Sequence, residues 1–205
     1  MTPLDFIFAI AVLIMSVIAH EVSHGYAANT LGDPTARLAG RLTLNPLAHL
    51  DLVGSFIVPV FTYFAGGFIF GWAKPVPYDP RNMVNPRWGG AAVAAAGPLA
   101  NIIIAGAFSI LIRMAPSLSL PPSFVELAST IVFLNLLLAC FNLIPLPPLD
   151  GSKILFAALP PRLYAVQNFL EQYWFIAIGV LILFVWQFFL PLIFSLFELV
   201  TGLAI

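Results

Sequence analysis

The chain has little charge and little cysteine. Of its 205 residues 8% are charged and 61% are hydrophobic, whereas soluble domains carry about 25% charged residues. This shortage excludes a soluble globular enzyme, a disordered tail and a nucleic-acid-binding protein, which needs a basic face. Eight Lys and Arg nearly balance nine Asp and Glu, so an acidic partner is not implied. The single cysteine, Cys140, allows no internal disulfide. The composition predicts an integral protein of the lipid bilayer.

Long uncharged runs mark the predicted membrane spans, because a helix needs about 20 apolar residues to cross the hydrocarbon. Four good spans are expected, at 6–29, 88–112, 127–149 and 172–197. A further run, 52–72, is long enough but is interrupted by proline and glycine. We therefore predict an all-α polytopic membrane protein with a bundle of about four to five spans. A single membrane-embedded domain would cover residues 1–205, with its core at 4–158 and a C-terminal span at 170–200.

The first apolar run contains a His-Glu-x-x-His motif, His20-Glu21-Val22-Ser23-His24. Helical residues four apart lie on one face, so both imidazoles can reach one zinc ion. Glu21 is then placed to take a proton from the attacking water. With three His and four Glu in the chain, chance would give such a motif in roughly one such sequence in a thousand. Ionisable groups inside a span are costly and usually functional, which favours a metal site over a satisfied polar cluster.

A catalytic zinc ion usually has three protein ligands and an open position. Cys140, His49 and the acidic residues are candidates for the third ligand. Asp150 stands out because it ends an apolar run broken by three prolines, in the stretch 141–151. Broken backbone at membrane depth is tolerated where it is buried or lines a water-filled cavity. From this stretch alone, a ligand and a solvated exit turn are equally good interpretations of Asp150.

Three motifs, in this order, resemble those of the site-2 protease family of intramembrane zinc metalloproteases: HEVSH at 20–24, AGPLAN at 96–101 and NLIPLPPLDG at 142–151. The resemblance covers about residues 7–155. It implies that His20, His24 and Asp150 bind one zinc ion and that Glu21 is the catalytic base. Asn142 matches the asparagine of the family's third motif. No PDZ or nucleotide-sensing domain is visible, so a short form of the family is expected.

The zinc ligands can meet at one depth only if spans 6–29 and 127–149 run parallel. They are antiparallel if segment 52–72 crosses the membrane, and parallel if it forms a re-entrant hairpin. The hairpin puts seven of the eight basic residues on one face, against five for the spanning alternative. The positive-inside rule therefore favours the hairpin, with the N-terminus outside and the zinc site nearer the cytoplasmic face of the cell membrane.

Three further features each have two interpretations. Residues 37–44 alternate leucine with polar residues, which predicts a short β-ribbon near the active site. Its edge could pair with an extended substrate or be merely structural. Asn142 could donate a hydrogen bond to the developing oxyanion or link two helices. His49 could be a spare ligand or proton shuttle, although an interfacial histidine is the better interpretation.

We expect an endopeptidase that hydrolyses peptide bonds within or near the transmembrane segments of protein or peptide substrates. One alternative is a metal-ion carrier or channel, which predicts ionisable residues along a path. Another is an inactive homologue that binds membrane partners. The gathering of polar groups at one site argues against the first, and the presence of His20, Glu21, His24 and Asp150 argues against the second.

Overall fold

Helices form the framework of the chain. The computed structural model describes residues 3–51, 53–58, 61, 64, 74–181 and 186–203. Its helices are α1 (Pro3–Thr30), α2 (Thr35–Leu38), α3 (Pro86–Met114), α4 (Pro122–Asn142), α5 (Asp150–Ala158), α6 (Tyr164–Gln172), α7 (Trp174–Val180) and α8 (Trp186–Thr201). Over these described ranges no strand is formed, so this part of the chain is all-helical, as the predicted helix bundle requires.

Helices α1, α3 and α4 are each long and apolar enough to cross a membrane. They match three of the four predicted spans, and the protein is accordingly a membrane protein. Asn85 starts α3, since its Oδ1 accepts a hydrogen bond from the Trp88 N–H and Pro86 occupies the first helical position. The apolar part of α8 is shorter, at 187–201, and the C-terminal span at 170–200 stays a prediction.

Contacts between the long helices fix their directions. On α1 Ser16 contacts Asn135 of α4, and one turn later His20 contacts Asp150, which follows α4. Later residues of α1 therefore contact later residues at α4, so these two helices run parallel. Helix α3 runs the opposite way, because Val93 contacts His24 whereas the later Asn101 contacts the earlier Ser16.

The parallel arrangement is the one that the hairpin alternative requires. The connection from α1 to α3 also leaves and returns at the same end of the bundle, where Asp33 bonds to Asn82. The hairpin prediction itself, for 52–72, falls largely outside the described residues. The part that is described includes a short π-helical turn at Val53–Ile57.

Away from the polar contacts of Ser16, His20 and Asp150, helices α3, α4 and α8 share an apolar core. It is built from eight buried side chains: Ala105, Ile112, Ala128, Val132, Leu136, Phe189, Ile193 and Phe197. At its far end, the Arg113 guanidinium donates to the carbonyls of Val200 and Leu199. Arg113 thereby satisfies the last carbonyls of α8, and α8 ends beside the end of α3.

The predicted β-ribbon at 37–44 does not form. Helix α2 takes up Thr35–Leu38, and the chain turns through Ala39 and Gly40. The cause lies upstream, because the Asp33 carboxylate accepts hydrogen bonds from the N–H and the hydroxyl of Thr35. The Arg41 N–H then closes onto the carbonyl of Ala36. These local bonds supply a helical turn with partners that an alternating pattern does not reveal.

The buried Asp33 ties the end of α1 to the segment that precedes α3. Besides Thr35, its carboxylate accepts hydrogen bonds from the Asp79 N–H at 2.6 Å and from the Asn82 amide at 2.8 Å. Burial alone raises the pKa of a carboxyl group, but these hydrogen bonds outweigh it and hold the pKa of Asp33 below its ordinary value. The ionised form is therefore the one that stabilises the fold.

Replacing Asp33 with Asn should lower the stability at pH 7 by about 2 kcal/mol, because the amide nitrogen cannot accept the hydrogen bonds that one carboxylate oxygen accepts. A group whose native pKa is depressed stabilises the fold above its unfolded pKa of about 4, and loses that effect as the pH falls through the native pKa. The difference in free energy of unfolding between wild type and variant should thus become smaller at acidic pH. Thermal unfolding in detergent at several pH values measures this difference.

The matched control is Asp79→Asn. In the wild type the Asp79 carboxylate pairs with the exposed Arg81. Exposed pairs contribute at most about 1 kcal/mol, so this variant should change little. An Asp33→Asn variant as stable as the control at pH 7 would contradict the role given to Asp33.

Candidate metal centre

Two histidines of α1 and the first residue of α5 converge on one point. The Nε2 atoms of His20 and His24 each lie 3.1 Å from Oδ2 of Asp150. The two imidazole rings are 4.6 Å apart and nearly perpendicular. All three side chains are buried. The structure thus brings together the three residues predicted as metal ligands, although 130 positions separate His20 from Asp150.

The proline-broken stretch explains how Asp150 reaches the histidines. Helix α4 ends at Asn142, and the chain turns through 143–149 before α5 begins at Asp150. A side chain on Gly151 would overlap the carbonyl oxygens of Leu143 and Ile144. The glycine therefore lets the start of α5 fold back against the end of α4, and this return presents the Asp150 carboxylate to α1.

Helix α3 forms the wall behind the two imidazoles. A Cβ atom on Gly97 would lie 2.6 Å from ring atoms of both His20 and His24, far inside van der Waals contact. Only glycine fits at position 97. This glycine of the AGPLAN motif therefore allows α3 to pack closely against the two imidazole rings. The wall also holds the rings by their outer nitrogens. Nδ1 of His24 bonds to the Val93 carbonyl, and Nδ1 of His20 to Oδ1 of Asn101, both at 2.7 Å.

This donor set fits zinc. The Val93 carbonyl can only accept a hydrogen bond, so Nδ1 of His24 carries the proton and its Nε2 keeps a lone pair for a metal. Two imidazole nitrogens and one carboxylate oxygen, with an open fourth position, are the usual ligands of a catalytic zinc ion. The buried carboxylate balances part of the charge of the cation.

Glu21 lies beside the two predicted histidine ligands and is half-buried. One donor atom each from His20, Glu21 and His24 fall within 4.8 Å of one another. Oε2 of Glu21 accepts a hydrogen bond of 2.9 Å from the Val76 N–H. This bond occupies one carboxylate oxygen, and among the described contacts Oε1 has no hydrogen-bond partner. The neighbouring segment is anchored as well, because Arg41 donates to the carbonyl of Lys74.

Lys153, one turn into α5, contacts Asp150, the predicted third ligand. Its Nζ lies 3.3 Å from Oδ1 of Asp150 and 5.6 Å from the centre of the Tyr78 ring. Burial lowers the pKa of an ammonium group, but Tyr78 and Asp150 outweigh it and raise the pKa of Lys153, so it is charged at neutral pH. Lys153 thus holds Oδ1 while Oδ2 faces the histidines.

The remaining sequence candidates lie elsewhere. The Asn142 amide donates to the Leu138 carbonyl, one turn back on α4, and its role at an oxyanion stays a prediction. His49 is buried between the Thr43 carbonyl and Arg41. Cys140 packs against the apolar core. Neither His49 nor Cys140 has a described contact with His20, His24 or Asp150.

Three contacts at this centre were not predicted as functional. Asn101 was visible within the AGPLAN motif, but its sequence position does not show that it faces His20. Lys153 stands three residues after Asp150, a spacing that places two side chains on one helical face. The Val76 N–H belongs to the backbone and leaves no signal in the residue type.

Gly97→Ala should reduce bound zinc from about one ion per chain to a small fraction, because its methyl group would displace both imidazoles. The matched control is Gly106→Ala on the same helix, where a Cβ meets nothing within 4 Å. Mass spectrometry of the detergent-purified proteins measures the metal. Full zinc in the Gly97 variant would show that the imidazoles do not depend on this close contact.

Comparisons with known proteins agree with this geometry. The family described as Peptidase family M50 matches residues 111–186. The chain is 40% identical over 180 residues to the Bacillus subtilis protein named "Putative zinc metalloprotease YwhC", covering 85% of this chain and 79% of that protein. Rip2 of Mycolicibacterium smegmatis, with the same description, is 30% identical over 87% of this chain and 67% of its own length. MJ0611 of Methanocaldococcus jannaschii, also so described, is 33% identical over 72% of each.

No solved structure matches the chain. The identity to YwhC extends over most of both proteins, and the described centre has the ligand types of a catalytic zinc site. The chain belongs to peptidase family M50, the site-2 proteases, and is a zinc metalloprotease.

Proposed function

We propose that this zinc metalloprotease is an intramembrane endopeptidase that cleaves peptide bonds within or near transmembrane segments of membrane proteins. The observation that carries the proposal is the meeting of His20, His24 and Asp150 inside a bundle of membrane-length helices. His20 and His24 belong to α1, which is itself long and apolar enough to span. Substrates cleaved there must enter the bilayer, so membrane segments are the substrate class.

In the proposed reaction His20, His24 and Asp150 hold the zinc ion. Zinc bound there supplies Lewis acidity, which makes water nucleophilic near neutral pH and polarises a peptide carbonyl. Oε1 of Glu21 accepts the proton of the attacking water and then delivers it to the leaving amine. The Val76 N–H keeps the other oxygen of Glu21 engaged, which restricts rotation of the carboxylate. A helical substrate must unwind near the scissile bond, because its carbonyls are otherwise hydrogen-bonded.

Hydrolysis at membrane depth needs a supply of water, and an open cavity one residue away from Asp150, through Lys153, is consistent with it. The cavity has a volume of about 650 Å³ and adjoins the site through Tyr78 and Lys153. Helix α6 contributes Gln167 and Glu171 to its wall. Lys153 lines this cavity and its Nζ also lies 3.3 Å from Oδ1 of Asp150, so one polar side chain joins the cavity to Asp150.

We also propose that the site faces the cytoplasm from the cell membrane. The second half of α1 and the start of α5 carry the site, and Arg87 at the start of α3 donates to the Ala157 carbonyl at the end of α5. Arg113 lies at the opposite end, beside Val200. This distribution of basic residues supports the assignment, because cytoplasmic loops are enriched in Lys and Arg.

Substituting the proposed base and a proposed ligand in separate variants distinguishes zinc binding from catalysis. Glu21→Gln should keep about one zinc ion per chain yet lower the cleavage rate by a factor of about 100 or more, because the amide cannot accept the proton. Asp150→Ala should lose most of the zinc. Metal content by mass spectrometry and cleavage of a reconstituted transmembrane peptide measure the two effects. Full zinc in Asp150→Ala, or an active Glu21→Gln, would overturn the assignment.

Val76→Pro tests the backbone contact to the base, since proline removes the N–H. We expect zinc content to stay near that of wild type and kcat to fall about tenfold, because Glu21 loses the bond that orients it. Val76→Ala is the control, since it keeps the N–H while shortening the same buried side chain. Equal kcat in the two variants would assign the effect to packing.

A further inference from the structure

Three buried polar side chains link the long helices next to His20. Asn101 of α3 and Asn135 of α4 are fully buried, and Ser16 of α1 is nearly so. A buried amide in a membrane-spanning bundle costs free energy unless it is hydrogen-bonded. Both amides are bonded to each other and to α1, and only Asn101 touches a zinc ligand.

The orientation of the Asn101 amide follows from its partners. Its Nδ2 donates to the Ser16 carbonyl at 3.3 Å and to Oδ1 of Asn135 at 2.8 Å. A backbone carbonyl can only accept, so the nitrogen faces Ser16 and the oxygen faces His20. Oδ1 lies 2.7 Å from Nδ1 of His20. An oxygen there requires the imidazole to carry its proton on Nδ1.

The Asn135 amide is fixed in the same way. Its Nδ2 donates to the Ile131 carbonyl and to the Ser16 hydroxyl, each at 2.9 Å. The Ile131 carbonyl can only accept, which turns Oδ1 of Asn135 toward Asn101. Two backbone carbonyls, of Ile131 and Ser16, thus set the direction of every hydrogen bond from α4 to His20.

We propose that Asn135 is a positioning residue for the zinc site, acting through Asn101 to hold His20 in the form that presents an Nε2 lone pair. If the Asn135 side chain is removed, Nδ2 of Asn101 loses one of its two hydrogen-bond acceptors, and the amide can rotate by about 180°. Its nitrogen would then face His20, Nδ1 would have to accept, and the proton would move to Nε2, where it blocks the metal. The proposal rests on the proposed function in one respect, the assignment of His20 as a ligand.

The test is the dissociation constant for Zn²⁺, measured on the full chain in detergent by competition with a chelator. Loss of a partner that orients a metal-binding histidine typically weakens affinity by about 10- to 100-fold. We expect that range for Asn101→Leu and a loss of about tenfold for Asn135→Leu. The double variant should bind no more weakly than Asn101→Leu alone, because one residue acts through the other.

Independent structural damage predicts a different result, in which the two losses multiply. The relay is the chain of hydrogen bonds from Asn135 through Asn101 to His20. Multiplied losses of affinity, or an Asn135→Leu dissociation constant within twofold of wild type, would overturn this relay. If Asn135→Leu fails to fold, Asn135→Ala removes the same hydrogen bonds with less bulk. Ser109→Ala is the matched control on α3, because Ser109 is buried and bonds only to the Ala105 carbonyl among the described contacts. It should leave Zn²⁺ affinity unchanged, and a loss equal to that of Asn101→Leu would count against the relay.

His20→Ala separates this inference from the proposed function. If it keeps wild-type Zn²⁺ affinity, His20 is not a ligand and both proposals fall. If it loses affinity while the Asn135 variants do not, the zinc site stands and the relay alone is wrong.

Discussion

The convergence of two imidazoles and one carboxylate governs the rest of the architecture. The histidines lie on α1 and the carboxylate follows α4, so both helices must arrive at the same end of the bundle. That condition makes them parallel and forces the long connection after α1 to return to the end from which it left. The break after α4 follows from it too, because a continuous helix would carry Asp150 past the histidines instead of turning it toward them.

Polar contacts within an apolar bundle provide the specificity of this arrangement. Apolar side chains around the core of Val132 and Ile193 hold the helices together, but such surfaces slide with little penalty. Hydrogen bonds to His20 and His24 come from Asn101 and Val93 of α3 and have fixed lengths and directions, and Lys153 of α5 bonds to Asp150 within its own helix. The two histidines of α1 are therefore located by a different helix. In the bilayer an unsatisfied polar group is costly, so a shift of register would break several bonds together.

The sequence predicted what depends on local spacing. The His-Glu-x-x-His motif fixes its own geometry as soon as it is helical, and the uncharged runs located α1, α3 and α4. Asp150 was undecided from its own stretch, because the bend that aims it involves Gly151 closing on Leu143. Asn101 had no assigned role, since its partners come from α1 and α4, far away in the chain. The ribbon at 37–44 was wrong because alternation was weighed without the bonds from Asp33 to Thr35.

The closeness of Gly97 to both imidazoles leaves one side of the metal centre with no room for an atom. Any side chain at position 97 would press on both rings at once, so the substitutions tolerated there are decided by two residues of another helix. A glycine inside a helix lowers its stability relative to alanine. Helix α3 bears that cost where two rings of α1 lie against its backbone.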